Sequence, residues 1–218
     1  RQWWDEVGSK NDIQILKPKE VKLPLKSAKL AEFVGIMMGD GTIARYHIAI
    51  TLNSHDDLDY SRFVLSLVED LFGVKPKVYY RKDAKALNIV VARKKLVEFL
   101  VGLGLLKGDK IKQGLSIPDW ILKNDQYARS CVRGLMDTDG SVFEHSYGSK
   151  DKIYSYKKLS FTSASSELLR DVMMVLESNN ITANLKGRNV RVGSRDDVRR
   201  YFKVIGSSNP KHLKRMGK

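Results

Sequence analysis

The order of apolar and polar positions along this 218-residue chain changes period several times, and each change marks an element. Apolar residues fall three and four apart at Phe63, Val64, Leu67, Val68 and Leu71, and again at Leu168, Leu169, Val172, Met173, Val175 and Leu176. This spacing predicts amphipathic helices over 58–72 and 167–178. Each follows a run of small polar residues, Ser54-His55-Asp56-Asp57 or Ser163-Ala164-Ser165-Ser166, whose side-chain oxygens suit a helix N-terminus. Alternation at every second residue predicts strands over 48–53, 75–82 and 87–92, and over 159–162, 182–186 and 190–193. A third helix, over 94–103 or 196–204, runs into Gly104 or Gly206, the residue type that most readily ends a helix.

These two sets are one set met twice. Gly35-Ile36-Met37-Met38-Gly39-Asp40-Gly41 returns as Gly134-Leu135-Met136-Asp137-Thr138-Asp139-Gly140, and each copy closes a stretch of helical character, 28–34 or 126–133. Each half therefore reads αββαββα, which makes the fold class α+β with an internal pseudo-dimer. The first repeat is expected over 28–106 and the second over 121–218. Residues 107–120, with Gly108, Gly114 and Pro118, read as the linker; residues 1–27, with Pro18 and Pro24, are an extension outside the repeat.

Composition adds a partner class. With 42% hydrophobic and 29% charged residues the chain can build a core, and its net charge of +14 favours a polyanion, nucleic acid before an acidic membrane surface. No apolar run approaches the roughly 18 residues of a membrane span. The opening Arg1-Gln2-Trp3-Trp4-Asp5 does not resemble a signal peptide, so a soluble, intracellular protein is expected. The single cysteine, Cys131, excludes an internal disulfide framework and a thiolate zinc site. Charge is uneven: residues 1–109 carry net +4 and residues 110–218 net +10. If Ile48, Ile50, Leu52, Val78, Tyr80, Leu87, Ile89 and Val91 face the helices, the opposite face presents Arg45, His47, Thr51, Asn53, Lys75, Lys77, Tyr79, Arg81 and Asn88. The same logic in the second half presents Lys158, Ser160, Thr162, Asn184, Lys186, Arg188 and Arg191. Arg and Lys suit guanine edges and phosphates, and Asn suits adenine, so these faces fit major-groove readout of double-stranded DNA by β-ribbons.

The repeated motif carries the chemistry. Gly35 and Gly39, like Gly134 and Thr138, are four apart and place small residues on one helix face, which lets two backbones approach closely. Helices paired through these faces bring Asp40 and Asp139 side by side at two negative helix ends. A divalent cation is the usual remedy for such repulsion, and hard cations take one or two carboxylates plus phosphate and water. The pair points to metal-assisted phosphodiester chemistry.

The segments 33–41 and 132–140 together resemble the two motifs of a single-chain LAGLIDADG homing endonuclease, and 117–122 and 205–211 resemble recurring segments of that family. The resemblance implies a saddle of two antiparallel sheets gripping DNA, with the motif helices at the interface. It also implies a monomer that cuts both strands of a long asymmetric site with Mg²⁺ or Mn²⁺, Ca²⁺ binding without supporting cleavage. Asp40 and Asp139 take the place of the metal-binding acids, with Gly39 and Thr138 beside them. Lys110 and Lys211 take the place of the basic residues near each active site, though Lys107 and Lys112 compete with Lys110. The earlier acidic position of the motif is Met38 in one copy and Asp137 in the other, so Asp137 is left out of the catalytic set. An RNA maturase or a DNA-binding regulator on the same scaffold is the alternative; the pair of aspartates favours the enzyme. The endonuclease domain of an intein is a third reading, which the ends of the chain do not support. His47, His55, His145 and His212 lack metal-ligand spacing and read as surface or turn residues, and Trp3, Trp4 and Trp120 as packing anchors.

Overall fold

The computed structural model describes residues 20–81, 84–149 and 152–217. Trp3, Trp4, Pro18 and the end of the strand expected over 75–82 lie outside them, as does most of the extension. The first half runs α1 (Ala28–Gly39), β1 (Gly41–Ile43), β2 (Ile48–Asn53), α2 (Leu58–Phe72), β3 (Lys77–Tyr80), β4 (Ala86–Val91) and α3 (Lys94–Gly102). After a short helix α4 (Asp119–Leu122), the second half runs α5 (Asp125–Asp139), β5 (Gly140–Ser149), β6 (Lys152–Thr162), α6 (Ser166–Ser178), β7 (Asn184–Lys186), β8 (Asn189–Val192), α7 (Arg195–Val204) and α8 (Pro210–Met216). Each half holds one antiparallel four-stranded sheet, in the orders β1-β2-β4-β3 and β5-β6-β8-β7. This is the α+β architecture of two repeated sheets that the periodicities predict.

The caps act where the sequence places them. Ser27 accepts the Leu30 amide at the start of α1, Asn124 the Tyr127 amide at α5, and Ser165 the Leu168 amide at α6. Helix α1 is buried nearly all round, from Leu30 to Met38, because α5 lies on one side and the first sheet on another. Phe33 meets Phe72 of α2 edge to face, ring centres 5.0 Å apart.

Helices α1 and α5 touch backbone to backbone. A Cβ placed on Gly35 would overlap the Cys131 carbonyl, and one on Gly134 would overlap the Glu32 carbonyl and come within 2.9 Å of the Ile36 nitrogen. Only glycine permits this approach at either point. The contact is flanked by a buried ion pair: Arg133 of α5 donates Nε to Glu32 of α1 at 2.9 Å and closes a second bond to the same carboxylate. Glu32 also accepts the Ser208 hydroxyl at 2.6 Å. A carboxylate this buried is tolerable because both oxygens are occupied.

The strand faces follow the expected alternation with one exception. Ile48, Ile50, Leu52, Leu87, Ile89 and Val91 point into the core. Val78 and Tyr80 pair with Ile89 and Leu87, yet they are 37% and 63% exposed, on the strand at the edge of the sheet. The second sheet also departs from expectation in length. Its β5–β6 hairpin pairs over ten residues, whereas β1–β2 pairs over three. Among the described residues no helix is long and apolar enough to cross a membrane.

Because the two backbones leave no room for a methyl group, Gly134→Ala should lower the free energy of unfolding by about 2–3 kcal/mol in urea melts. Gly102→Ala, where nothing lies within 4 Å, should change it by less than about 0.5 kcal/mol.

Candidate metal and nucleic-acid site

Helices packed this closely end close together, and each ends in an aspartate. Asp40 caps α1, its N–H returning to the Ile36 carbonyl at 3.0 Å and its carbonyl taking the Thr51 amide of β2 at 3.1 Å. Asp139 is the last residue of α5, and Gly140 turns the chain into β5. Neither helix has a basic residue in its last turn, so both carboxylates face the negative end of a helix dipole uncompensated from within. Burial, then the charge of Asp139, then that of Asp57 push the Asp40 carboxyl up to about 7, against the pull of Lys110 and Lys211. Burial raises Asp139 too, and Lys110 opposes it.

Lys110 sits in the middle of this arrangement. Its Nζ donates to the carbonyls of Gly39, Gly41 (3.0 Å) and Met37 (3.4 Å), so the end of α1 is neutralised by a side chain from the segment joining the repeats. Burial lowers its pKa, while Asp139 and Asp40 hold it up. Lys112 instead pairs with Asp109 and is 86% exposed, and Lys107 lies on the surface. Of three competing lysines the fold thus brings Lys110 to the aspartates. The Gly39 carbonyl is occupied by Lys110. The Thr138 hydroxyl bonds back to Gly134 and Leu135 of its own helix, each at 3.0 Å.

Lys211 lies on the flank of Asp40, beyond direct reach of the pair. Its Nζ is 2.6 Å from Asp57, a residue that no sequence signal beyond its helix-start position singles out. Asp137, set aside in the sequence, is buried between the Ser207 hydroxyl, the Ser208 amide (2.7 Å) and His212 Nδ1 (3.4 Å). His212 is therefore a core residue, only 2% exposed, and not the surface or turn histidine that its isolation in the sequence suggests. Helix α8 folds back under Asn209-Pro210 and carries it inward. Trp120 is a packing anchor, its indole N–H held by the Leu103 carbonyl at 3.0 Å and its ring set edge-on to Tyr127.

The sheet faces opposite the helices carry the expected polar residues, with some apolar ones among them. Thr51, Asn88 and Tyr79 lie in register across three strands, with the Thr51 hydroxyl donating to Asn88 at 2.8 Å. Asn53 and Lys77 share that face; Lys75 precedes β3, Arg45 and His47 stand in the β1–β2 turn, and Arg81 follows β3. In the second sheet Lys158, Ser160, Thr162, Asn184, Lys186 and Arg191 share one face, and Arg188 stands in the β7–β8 turn. Ser160 is only 8% exposed there. Alternation missed the outer part of this face, where Phe143, His145 and Tyr147 face Lys158, Tyr156 and Tyr154. Tyr147 and Tyr154 stack with ring centres 5.4 Å apart. Small apolar residues, Ala49, Ala86 and Val90, complete the first face.

Two sheets borne on two glycine-packed helices that end in facing aspartates define the LAGLIDADG architecture. The chain shares the fold of solved LAGLIDADG proteins. Residues 126–206 match the model of the LAGLIDADG-like domain. Among solved structures it is similar to meganuclease I-SmaMI bound to uncleavable DNA, at a TM-score of 0.59 and 11% identity, covering 89% of this chain and 88% of that one. It is similar also to I-DmoI in complex with DNA and Mn (TM-score 0.53, 18% identity, 84% and 98% covered). A third similar structure is the N-terminal LAGLIDADG domain of DUF199/WhiA (0.56, 20%, 85% and 87%). In sequence it matches the replication factor C small subunit of Methanocaldococcus jannaschii, 28% identical over 86% of the chain, and the tRNA-splicing ligase RtcB of Methanopyrus kandleri, 26% identical over 93%. The chain spans about a tenth of the first relative and a little over a fifth of the second.

Asp40 gives the site a pH signature. Its carboxyl binds a proton up to about pH 7 when folded but only up to about 4 when unfolded, so stability falls as pH rises between those values and levels off above. Without added metal, Asp40→Asn should remove this cost. Its stability relative to wild type should then rise by about 3 kcal/mol between pH 4.5 and pH 8 in denaturant titrations.

Proposed function

We propose that this protein is a site-specific, divalent-metal-dependent endonuclease that cuts both strands of a DNA duplex. The observation that carries this reading is the repulsive pair Asp40 and Asp139, held at two helix ends between two polar sheet faces, with Asp40 raised to about 7. A fold selected for stability alone would replace one member. A divalent cation relieves the repulsion, and with two carboxylates available the rest of its shell falls to water and phosphate, the usual habit of Mg²⁺. When bound, the metal supplies charge for the phosphate oxygens and an acidified water. Asp40 and Asp139 would hold it, with Gly39 and Thr138 adjacent. Lys110 is placed to stabilise phosphate charge, and Lys211 borders the same centre. The sheet residues from Arg45 to Asn88 and from Lys158 to Arg191 would contact the duplex. The neighbour solved with DNA and Mn supports divalent metal as the cofactor.

The likeness to WhiA favours a second reading, a LAGLIDADG scaffold that binds without cutting; a related sequence is named as a probable cell division protein. Retention of both aspartates weighs against it. The sequence matches also bear on origin. The same module recurs inside proteins as unlike as a replication factor subunit and a tRNA-splicing ligase, which supports a portable domain carried within host proteins.

Incubation with a plasmid library of randomised duplexes and Mg²⁺ or Mn²⁺, followed by sequencing of cut ends, should recover one long asymmetric site. Asp40→Asn and Asp139→Asn should each lose cleavage by about a hundredfold or more while still shifting that duplex in gels. Full activity in both variants would refute the assignment. Charge reversal at Arg188 and Arg191 should weaken DNA binding and flatten its salt dependence more than reversal at Lys75 and Lys77, because the second half carries net +10 against +4.

A further inference from the structure

Asp57 occupies the N-cap of α2, where an aspartate ordinarily accepts an amide of its own helix, yet its side chain makes no such bond. Neighbouring Asn53 takes over local duty, accepting the amides of His55 and Asp56 at 2.9 and 3.0 Å. The freed carboxylate, 13% exposed, reaches across the repeat interface to Lys211 Nζ at 2.6 Å and Asn209 Nδ2 at 3.2 Å. Asn209 is fully buried. It also donates to the Asp137 carbonyl at 3.0 Å and caps α8 by accepting the Lys211 amide at 3.0 Å. Asp57 therefore fixes both ends of the short segment that carries Lys211.

The second repeat has no such pair at the matching place. There the N-cap of the equivalent helix, α6, is Ser165, which accepts the Leu168 amide of its own helix and donates to the Leu115 carbonyl. The Asp57–Lys211 pair therefore belongs to one side of a pseudo-symmetric centre, and both of its charges act on Asp40.

Resting on the endonuclease reading, we propose that Asp57 is a positioning residue that holds Lys211 beside Asp40 and makes the two strand cuts unequal: the strand processed on the Asp40 side depends on the Asp57–Lys211 pair, and the other does not. The test uses the full chain and the duplex recovered by end sequencing, its strands carrying different 5′ fluorophores, so that each cut is timed separately. Asp57→Ala should slow one strand roughly 10–100-fold, the strand that Lys211→Met also slows, and leave the other within about twofold. Asp57→Glu, which retains the charge, should restore most of the rate. If Asp57→Ala fails to fold, Asp57→Asn, which keeps an acceptor oxygen and removes the charge, reads the same ratio. Equal slowing of both strands, or of neither, overturns the proposal, as does slowing of the strand that Lys211→Met spares. A wild type that binds the duplex but cuts neither strand overturns the endonuclease reading, and this proposal with it.

Discussion

The rest of the molecule depends on a single close approach, the contact of α1 and α5 at Gly35 and Gly134. Side chains keep most packed helices 8–10 Å apart; here each glycine faces a backbone carbonyl of the other helix. With the helices this near, the Glu32–Arg133 pair spans the interface without strain, and the two helix ends, with their aspartates, become neighbours. The same contact explains why the site is electrostatically poor in its resting form. What brings the carboxylates together is backbone packing, which has no stake in their charge, so burial and mutual repulsion are offset only in part, by Lys110 and Lys211.

Most of the frame was legible in the sequence. The helix 58–72 and the strand 48–53 follow from period alone, the helix expected over 94–103 ends one residue sooner, at Gly102, and the duplication of the motif gives the two-sheet plan. The misses have physical causes. The long hairpin escaped notice because the pattern inverts along it: Val142 faces the core, but farther out the core ends, and Phe143, His145 and Tyr147 crowd the outer face while Glu144 and Ser146 occupy the inner one. Val78 and Tyr80 alternate correctly but lie on an edge strand, so correct alternation did not imply burial.

The site was half legible. Asp40 and Asp139 stand in a repeated motif, and repetition is a signal that one sequence can carry. Lys110 was one of three lysines in a glycine-rich segment, and only the path of that segment past the end of α1 selects it. Asp57 carries only the mark of a helix start, and nothing local in the sequence marks what Asn209 and His212 bond to. Asp57 sits where an ordinary helix cap belongs, and its diversion toward Lys211 is a fact of tertiary distance. Asp137 looked dispensable because its motif partner is Met38. In the structure it anchors the segment 207–212, which explains how one position can be a methionine in one repeat and a buried aspartate in the other: the second repeat has a C-terminal segment for it to hold, and Met38 packs in the core.

The unequal hairpins break the internal twofold in a way the paired helices do not. A molecule of true twofold symmetry cannot tell one direction along a rod from the other. With a ten-residue ribbon on one sheet and a three-residue ribbon on the other, this protein has a front and a back. A long ligand lying across both sheets would meet a greater reach on the side of Tyr147, Tyr154 and Tyr156, and turning that ligand end for end would no longer give an equivalent complex.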